Sequence, residues 1–134
     1  MSVVNSTSIR FLLDASALLA LIFDEPGAEV VSGILSDSAI GAVNYSEVLT
    51  KLIRRGAAPD EAAEYLSGLT VEVVPFDREL ALQGADLAPF AWTHGLSFGD
   101  RACLALARRY NVPAVTAESD WDIPGFPVQV RLIR

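Results

Sequence analysis

Short apolar runs alternate along this chain with longer stretches in which apolar and polar residues are mixed at helical spacing. Residues 9–13 form the first run, with Arg10 inside it and Asp14 ending it, which predicts a strand. Residues 38–42 are small and apolar and predict a buried second strand, 71–76 alternate as a third, and 113–116 and 128–133 supply a fourth and fifth. Between them, Tyr45, Val48, Leu49, Leu52 and Ile53 make one apolar helical stripe that stops at Gly56. Helices are also predicted at 16–23 and 28–35, split by Glu25-Pro26-Gly27, and at 59–66, where Pro59 and two acids occupy the first turn. Asp77 reads as the N-cap of a helix over 79–87. Ser97-x-x-Asp100 has the form of a capping box and opens 101–110, whose inner stripe is Cys103, Leu106, Ala107 and Tyr110. Strands separated by helices predict an α/β domain: an open, mostly parallel five-stranded sheet with helices on both faces.

Composition narrows this further. A chain of 134 residues, 51% hydrophobic, is the size of one domain with a core between sheet and helices. No run reaches the roughly 18 apolar residues of a membrane span. Residues 1–8 read as a flexible polar segment without a signal peptide, so the expectation is a soluble, cytoplasmic protein. Cys103 has no second cysteine to pair with and reads as a small buried hydrophobe. A formal net charge of −7 argues against broad binding to a phosphate backbone, so a nucleic-acid substrate would have to be held locally. Nine of the ten basic residues are arginines, and Arg54, Arg55, Arg108 and Arg109 read as solvated helix ends.

The candidate chemistry lies in the acids. Asp14 follows the first strand, Glu118 and Asp120 follow the fourth, and Glu47 and Asp100 stand in early turns of helices. Ligands of an open α/β sheet collect beyond the carboxyl ends of its strands, so these positions are expected to converge on one edge. Each has an ordinary explanation: Asp14 as an N-cap, Glu47 as a partner of Lys51, Asp100 as a capping-box acid, Glu118 and Asp120 as solvated turn carboxylates. Only the set points to chemistry. Carboxylates gathered together repel, and the cation that suits them is a hard divalent ion, Mg²⁺ or Mn²⁺. Ser16 and Thr116 are hydroxyls placed either to orient an acid or to serve as helix-start and strand-end residues. His94, in a loop beside Gly95, has no second histidine for a zinc site and reads as structural. Trp92 and Trp121 are assigned to packing, with stacking on a nucleobase as the alternative.

Four segments together resemble the PIN-domain nucleases, in particular the small VapC-type toxins of toxin–antitoxin pairs. They are Phe11-Leu12-Leu13-Asp14-Ala15-Ser16-Ala17-Leu18-Leu19, Ser46-Glu47-Val48, the stretch from Leu96 through Asp100 to Ala107, and Ala114-Val115-Thr116-Ala117-Glu118-Ser119-Asp120-Trp121. The resemblance covers essentially the whole chain. It implies a metal-dependent endoribonuclease that cuts RNA, uses Mg²⁺ or Mn²⁺, forms a homodimer and is blocked by a VapB-like antitoxin, with DNA reached only through that partner. Asp14, Glu47 and Asp100 match the family's three firmest acids. Where many relatives have Thr-x-Asp, this chain has Thr116-Ala117-Glu118, so the fourth acid is Glu118 or Asp120. Ser16 and Thr116 match supporting polar positions, and Arg101 is a candidate phosphate contact.

Two other classes compete. A phosphoryl-transfer domain with Asp14 as nucleophile would want a second aspartate where Ser16 stands, or a late lysine, and Lys51 is the only lysine. A catalytically degenerate PIN-like module that acts by binding protein is the other, kept open by the departure at Glu118 and the acidic net charge.

Overall fold

In the computed structural model, which describes residues 8–134, five parallel strands form one open sheet in the order β3-β2-β1-β4-β5. The strands are β1 (Phe11–Leu13), β2 (Ser38–Gly41), β3 (Glu72–Val74), β4 (Ala114–Thr116) and β5 (Val130–Leu132). The helices are α1 (Ala15–Ile22), α2 (Ala28–Ile34), α3 (Ala42–Arg54), α4 (Pro59–Ser67), α5 (Arg78–Asp86), α6 (Ala88–His94) and α7 (Phe98–Tyr110). Most of the segment expected to be flexible, residues 1–7, lies outside the described residues.

Successive side chains of a strand face opposite sides, and the two cores divide accordingly. Leu12, Ala39 and Ala114 join Leu80, Trp121 and the buried run of α7 on one face. Leu13, Ile40 and Val115 join Ala17, Leu18, Val31, Val48 and Leu66 from α1 to α4 on the other. Because both faces are covered, the central strands are mostly apolar, with Ser38 opening β2 and Thr116 closing β4 as buried polar residues. Residues 102–107 of α7 are all buried, and four small ones, Ala102, Cys103, Ala105 and Ala107, let that helix sit close between the sheet and its neighbours. No helix among the described residues is long and apolar enough to cross a membrane.

The differences from expectation have local causes. α7 begins at Phe98 because Ser97 is the cap: its hydroxyl accepts from the Asp100 N–H at 3.1 Å, and the Asp100 carboxylate accepts from the Ser97 N–H at 2.9 Å. Residues 88–94 form α6, so His94 closes a helix and does not lie in a loop; Pro89 in its first turn and Gly95 at φ 68° mark its two ends. His94 stacks on Phe90 at 4.0 Å, as befits a structural residue. Trp92, expected to pack, is 78% exposed, whereas Trp121 is buried against Phe126. Arg109 is not simply solvated but pairs with Asp77 through two bonds of 3.1 and 3.2 Å, and Arg55 lies 4.0 Å over the Phe23 ring.

The strand order reverses between β1 and β4. The chain winds outward from β1 through β2 to β3, then crosses to β4 and β5, which puts the switch point, where open α/β sheets bind their ligands, beyond the carboxyl ends of β1 and β4. Asp14 is the first residue past β1, and Thr116 is the last of β4.

Candidate active site

Asp14 is 4% exposed, and its backbone N–H donates to the Val115 carbonyl at 3.1 Å, which extends the β1–β4 pairing to the point where the chain turns into α1. Its carboxylate caps α1, accepting from the Ala17 N–H at 2.9 Å. Two hydroxyls complete the arrangement: Ser16 donates to Oδ1 at 2.7 Å and Thr116 donates to Oδ2 at 2.5 Å. The loop after β4 is held by the same hydroxyls, which accept from the Ala117 N–H and the Glu118 N–H, both at 2.9 Å. Since each hydroxyl has spent its one hydrogen on Asp14, the 3.2 Å approach of Ser16 to Thr116 is a packing contact. Ser16 and Thr116 therefore orient an acid, and each also secures the backbone of the loop.

Despite three donors, the Asp14 carboxyl is pushed up from 3.8 to about 6. Burial is the largest cause, the bonds from Thr116, Ser16 and Ala17 oppose it, and the charge of Asp100 adds to the rise. Among the described residues no cationic side chain contributes to lowering it.

Glu47 is exposed on α3, yet its carboxylate is engaged: Oε1 accepts from Asn44 Nδ2 at 2.9 Å. Asn44, 2% exposed, also donates through Nδ2 to the Gly99 carbonyl at 3.0 Å, tying α3 to the first turn of α7. The Glu47 carboxylate lies against Gly99, where an added Cβ would stand 2.6 Å from Oε2. Asn44 and Gly99 were not singled out from sequence; the available signal was the i, i+3 spacing of Asn44 and Glu47. Lys51, the partner in the ordinary explanation of Glu47, forms no ion pair with it, the ion pairs among the described residues being Arg109–Asp77 and Arg134–Glu25.

Cys103 is buried on α7. Its thiol is raised well above its ordinary value by burial and then by the charges of Asp14, Asp100 and Glu47. The charges of all three acids thus act on that one thiol. Glu118 and Asp120 are exposed in the turn beyond β4, with Asp120 in the 3-10 turn Ser119–Trp121. Arg101 donates to the Gly84 carbonyl of α5 at 3.0 Å and lies 5.5 Å from the Phe98 ring. The donor set is all hard oxygen, which fits Mg²⁺ or Mn²⁺. Among the described residues no three acids, histidines or cysteines already stand close enough together to hold a metal ion.

The PIN domain model matches residues 11–126, and the chain belongs to the PIN domain family. By backbone it is similar to a chain of the DNA-bound VapBC from Salmonella typhimurium, with 14% identity over 94% of this chain and 99% of that one and a TM-score of 0.72. It is likewise similar to a chain of FitAcB from Neisseria gonorrhoeae, at 20% identity, 92% and 97% coverage and a TM-score of 0.71. A chain of a toxin–antitoxin complex from Klebsiella pneumoniae gives 20% identity, 92% and 97% coverage and a TM-score of 0.69. At these identities the likeness is one of fold. No curated protein matches the sequence.

Proposed function

We propose that this chain is a VapC-type toxin: an endoribonuclease that hydrolyses RNA phosphodiester bonds with Mg²⁺ or Mn²⁺ and is held inactive by an antitoxin. The observation that carries the reading is Asp14, a buried carboxylate at the switch point of a PIN sheet, held by Ser16, Thr116 and the Ala17 N–H and raised further by the charge of Asp100. Asp14 and Asp100 would hold the ion most directly, Glu47 would hold or orient its water, and Glu118 or Asp120 would complete the set. The ion, when bound, would acidify water and neutralise charge on the phosphate. The chain's own part is to hold Asp14 in one orientation through Ser16, Thr116 and the Ala17 N–H, and to keep its carboxylate out of solvent. Arg101, anchored on Gly84, is the candidate phosphate contact.

The partner reading is supported by the fold neighbours, which come from complexes of toxin with antitoxin, one of them bound to DNA. We propose a VapB-like antitoxin here too, DNA contact only through it, a homodimer, and a cytoplasmic place of action beside RNA.

A second reading, a PIN-like domain that only binds protein, is favoured by the absence of a ready three-ligand group among the described residues. Calorimetric titration of the purified chain with Mn²⁺, alongside cleavage of labelled RNA with and without EDTA, separates the two. Metal-dependent cleavage that disappears in Asp14→Asn is expected for the nuclease. A folded wild type that neither binds Mn²⁺ nor cuts RNA leaves the binding module.

A further inference from the structure

We propose that Asn44 is a positioning residue that pins the Glu47 carboxylate onto the Gly99–Asp100 turn, with Gly99 leaving the room that the pinned carboxylate occupies. The functional half of this inference rests on the nuclease reading above; the geometric half does not.

An exposed glutamate on a helix is ordinarily free to sample several rotamers, and its habitual partner is a lysine one turn later, the place Lys51 fills. Glu47 instead turns back to Asn44 at 2.9 Å. The same Nδ2 donates at 3.0 Å to the Gly99 carbonyl, so the two hydrogens of one amide join α3, Glu47 and α7. Flipping that amide would set its oxygen against two acceptors, Glu47 Oε1 and the Gly99 carbonyl, so its partners dictate its orientation. The consequence is visible on the other side of the amide, where Oδ1 is buried without a hydrogen-bond partner. A buried acceptor left unpaired is unfavourable. The amide tolerates it because the alternative loses both donations.

Gly99 provides a separate measure of the same restraint. A Cβ there would lie 2.6 Å from Glu47 Oε2 and 2.7 Å from both Cδ and Oε1. An unrestrained carboxylate at the exposed end of a glutamate would step aside for a methyl group at little cost. One bonded to a buried amide cannot move without breaking that bond. Asn44 and Gly99 therefore act on the same group, and they set its negative charge directly before Asp100 in the first turn of α7.

The test uses the full chain with Asn44→Ala, Gly99→Ala and the double variant. In the metal-free protein, the Asn44 side-chain NH₂ signals in an NMR spectrum should be slow to exchange with solvent and should shift in Glu47→Ala and in Gly99→Ala. With Mn²⁺ and a short labelled RNA, each single variant should lower kcat roughly 10–100-fold, the usual effect of removing the partner of a metal-binding group, with KM little changed. The double variant should be no worse than the poorer single one, because the carboxylate can be displaced only once. A Gly99→Ala protein with full kcat and unaltered amide signals overturns the proposal, as do fully additive losses. If Asn44→Ala does not fold, Gly99→Ala decides alone, since it removes no hydrogen-bonding group. A wild type inactive on RNA removes the catalytic half along with the nuclease reading, and the amide signals then decide the restraint by itself.

Discussion

Asp14 and Asp77 perform the same local task and end with opposite titration behaviour. Each precedes a helix in extended backbone, at φ −84°, ψ 176° and φ −94°, ψ −178°, and each side chain caps its helix by accepting from the N–H three residues on, at 2.9 and 2.8 Å. Asp14 is buried among hydroxyls with a second carboxylate nearby, and its carboxyl rises to about 6. Asp77 lies at the surface, where first the hydrogen bond from Arg109 and then that from the Leu80 N–H hold it below the ordinary value of 3.8. Identical caps show that the cap does not decide the chemistry. The surroundings do: burial and a second carboxylate raise one acid at a helix start, and a surface arginine lowers the other.

The largest way to break this contrast is Asp14→Asn. RNA cleavage should fall to background, while the metal-free fold becomes more stable at neutral pH. The sign follows from the pKa values: below pH 3.8 the carboxyl carries its proton in both states, and between 3.8 and about 6 only the fold retains it. Stability therefore falls as pH rises through that window and stays low above it. The penalty at neutral pH is about 3 kcal/mol, and it vanishes in the asparagine variant if Thr116 turns its hydroxyl to accept. Melting temperature against pH, for wild type and variant, checks this; parallel curves would remove Asp14 as a strained acid.

A comparable effect is expected from Mn²⁺. Above pH 6 it should raise the melting temperature of the wild type, corresponding to about 2.7 kcal/mol at a hundredfold excess over Kd. In acid, where Asp14 is protonated, and in Asp14→Asn, the gain should shrink or disappear. A rise of equal size in Asp14→Asn would place the ion elsewhere.

Thr116→Val sharpens the comparison from the other side. Removing a donor to a carboxylate weakens its charged form, so the Asp14 pKa should climb by about one pH unit beyond its present value, as read by NMR titration. No change would show that the 2.5 Å contact contributes little.

Smallest of all should be Asp77→Asn, which keeps the capping oxygen and removes only the charge. Its sign is opposite to that of Asp14→Asn: a slight destabilisation at neutral pH that fades as the wild type itself is protonated below pH 3.8. Added salt should abolish the difference, because the pair with Arg109 is exposed. Thermal melts at low and high ionic strength measure both trends.

Much of the scaffold was legible from local pattern. The strand around Phe11–Leu13, the apolar stripe of α3 and the Ser97–Asp100 capping box depend on nearest neighbours and on one inward face, which periodicity records directly, although the last member of the stripe, Ile53, is exposed. α6 escaped notice because seven residues beginning Ala88-Pro89 carry too little periodicity, and with it went the helical place of His94. Trp92 was misplaced for a related reason, since residue type says that an aromatic prefers burial but not which face of an unrecognised helix it occupies. At the site, Asp14 could be read as a cap and as one of a set of acids whose repulsion raises a carboxyl in the absence of metal, but that burial would be the main cause of its elevated carboxyl could not. The elevation comes first from burial by distant segments; the bond from Thr116, 102 positions away, opposes it, and the charge of Asp100 adds to it.

Taken alone, the order of residues determined the alternation of strands and helices, the caps that start them and the acids available for chemistry, because these are set by backbone preference and by spacing within a few residues. The tertiary structure decided which acids lose water, which receive hydroxyl donors and which lie near another charge. Those outcomes depend on β1 meeting β4 and on α3 meeting α7, contacts between distant segments that bring solvent exclusion and electrostatics to bear on groups no local pattern connects.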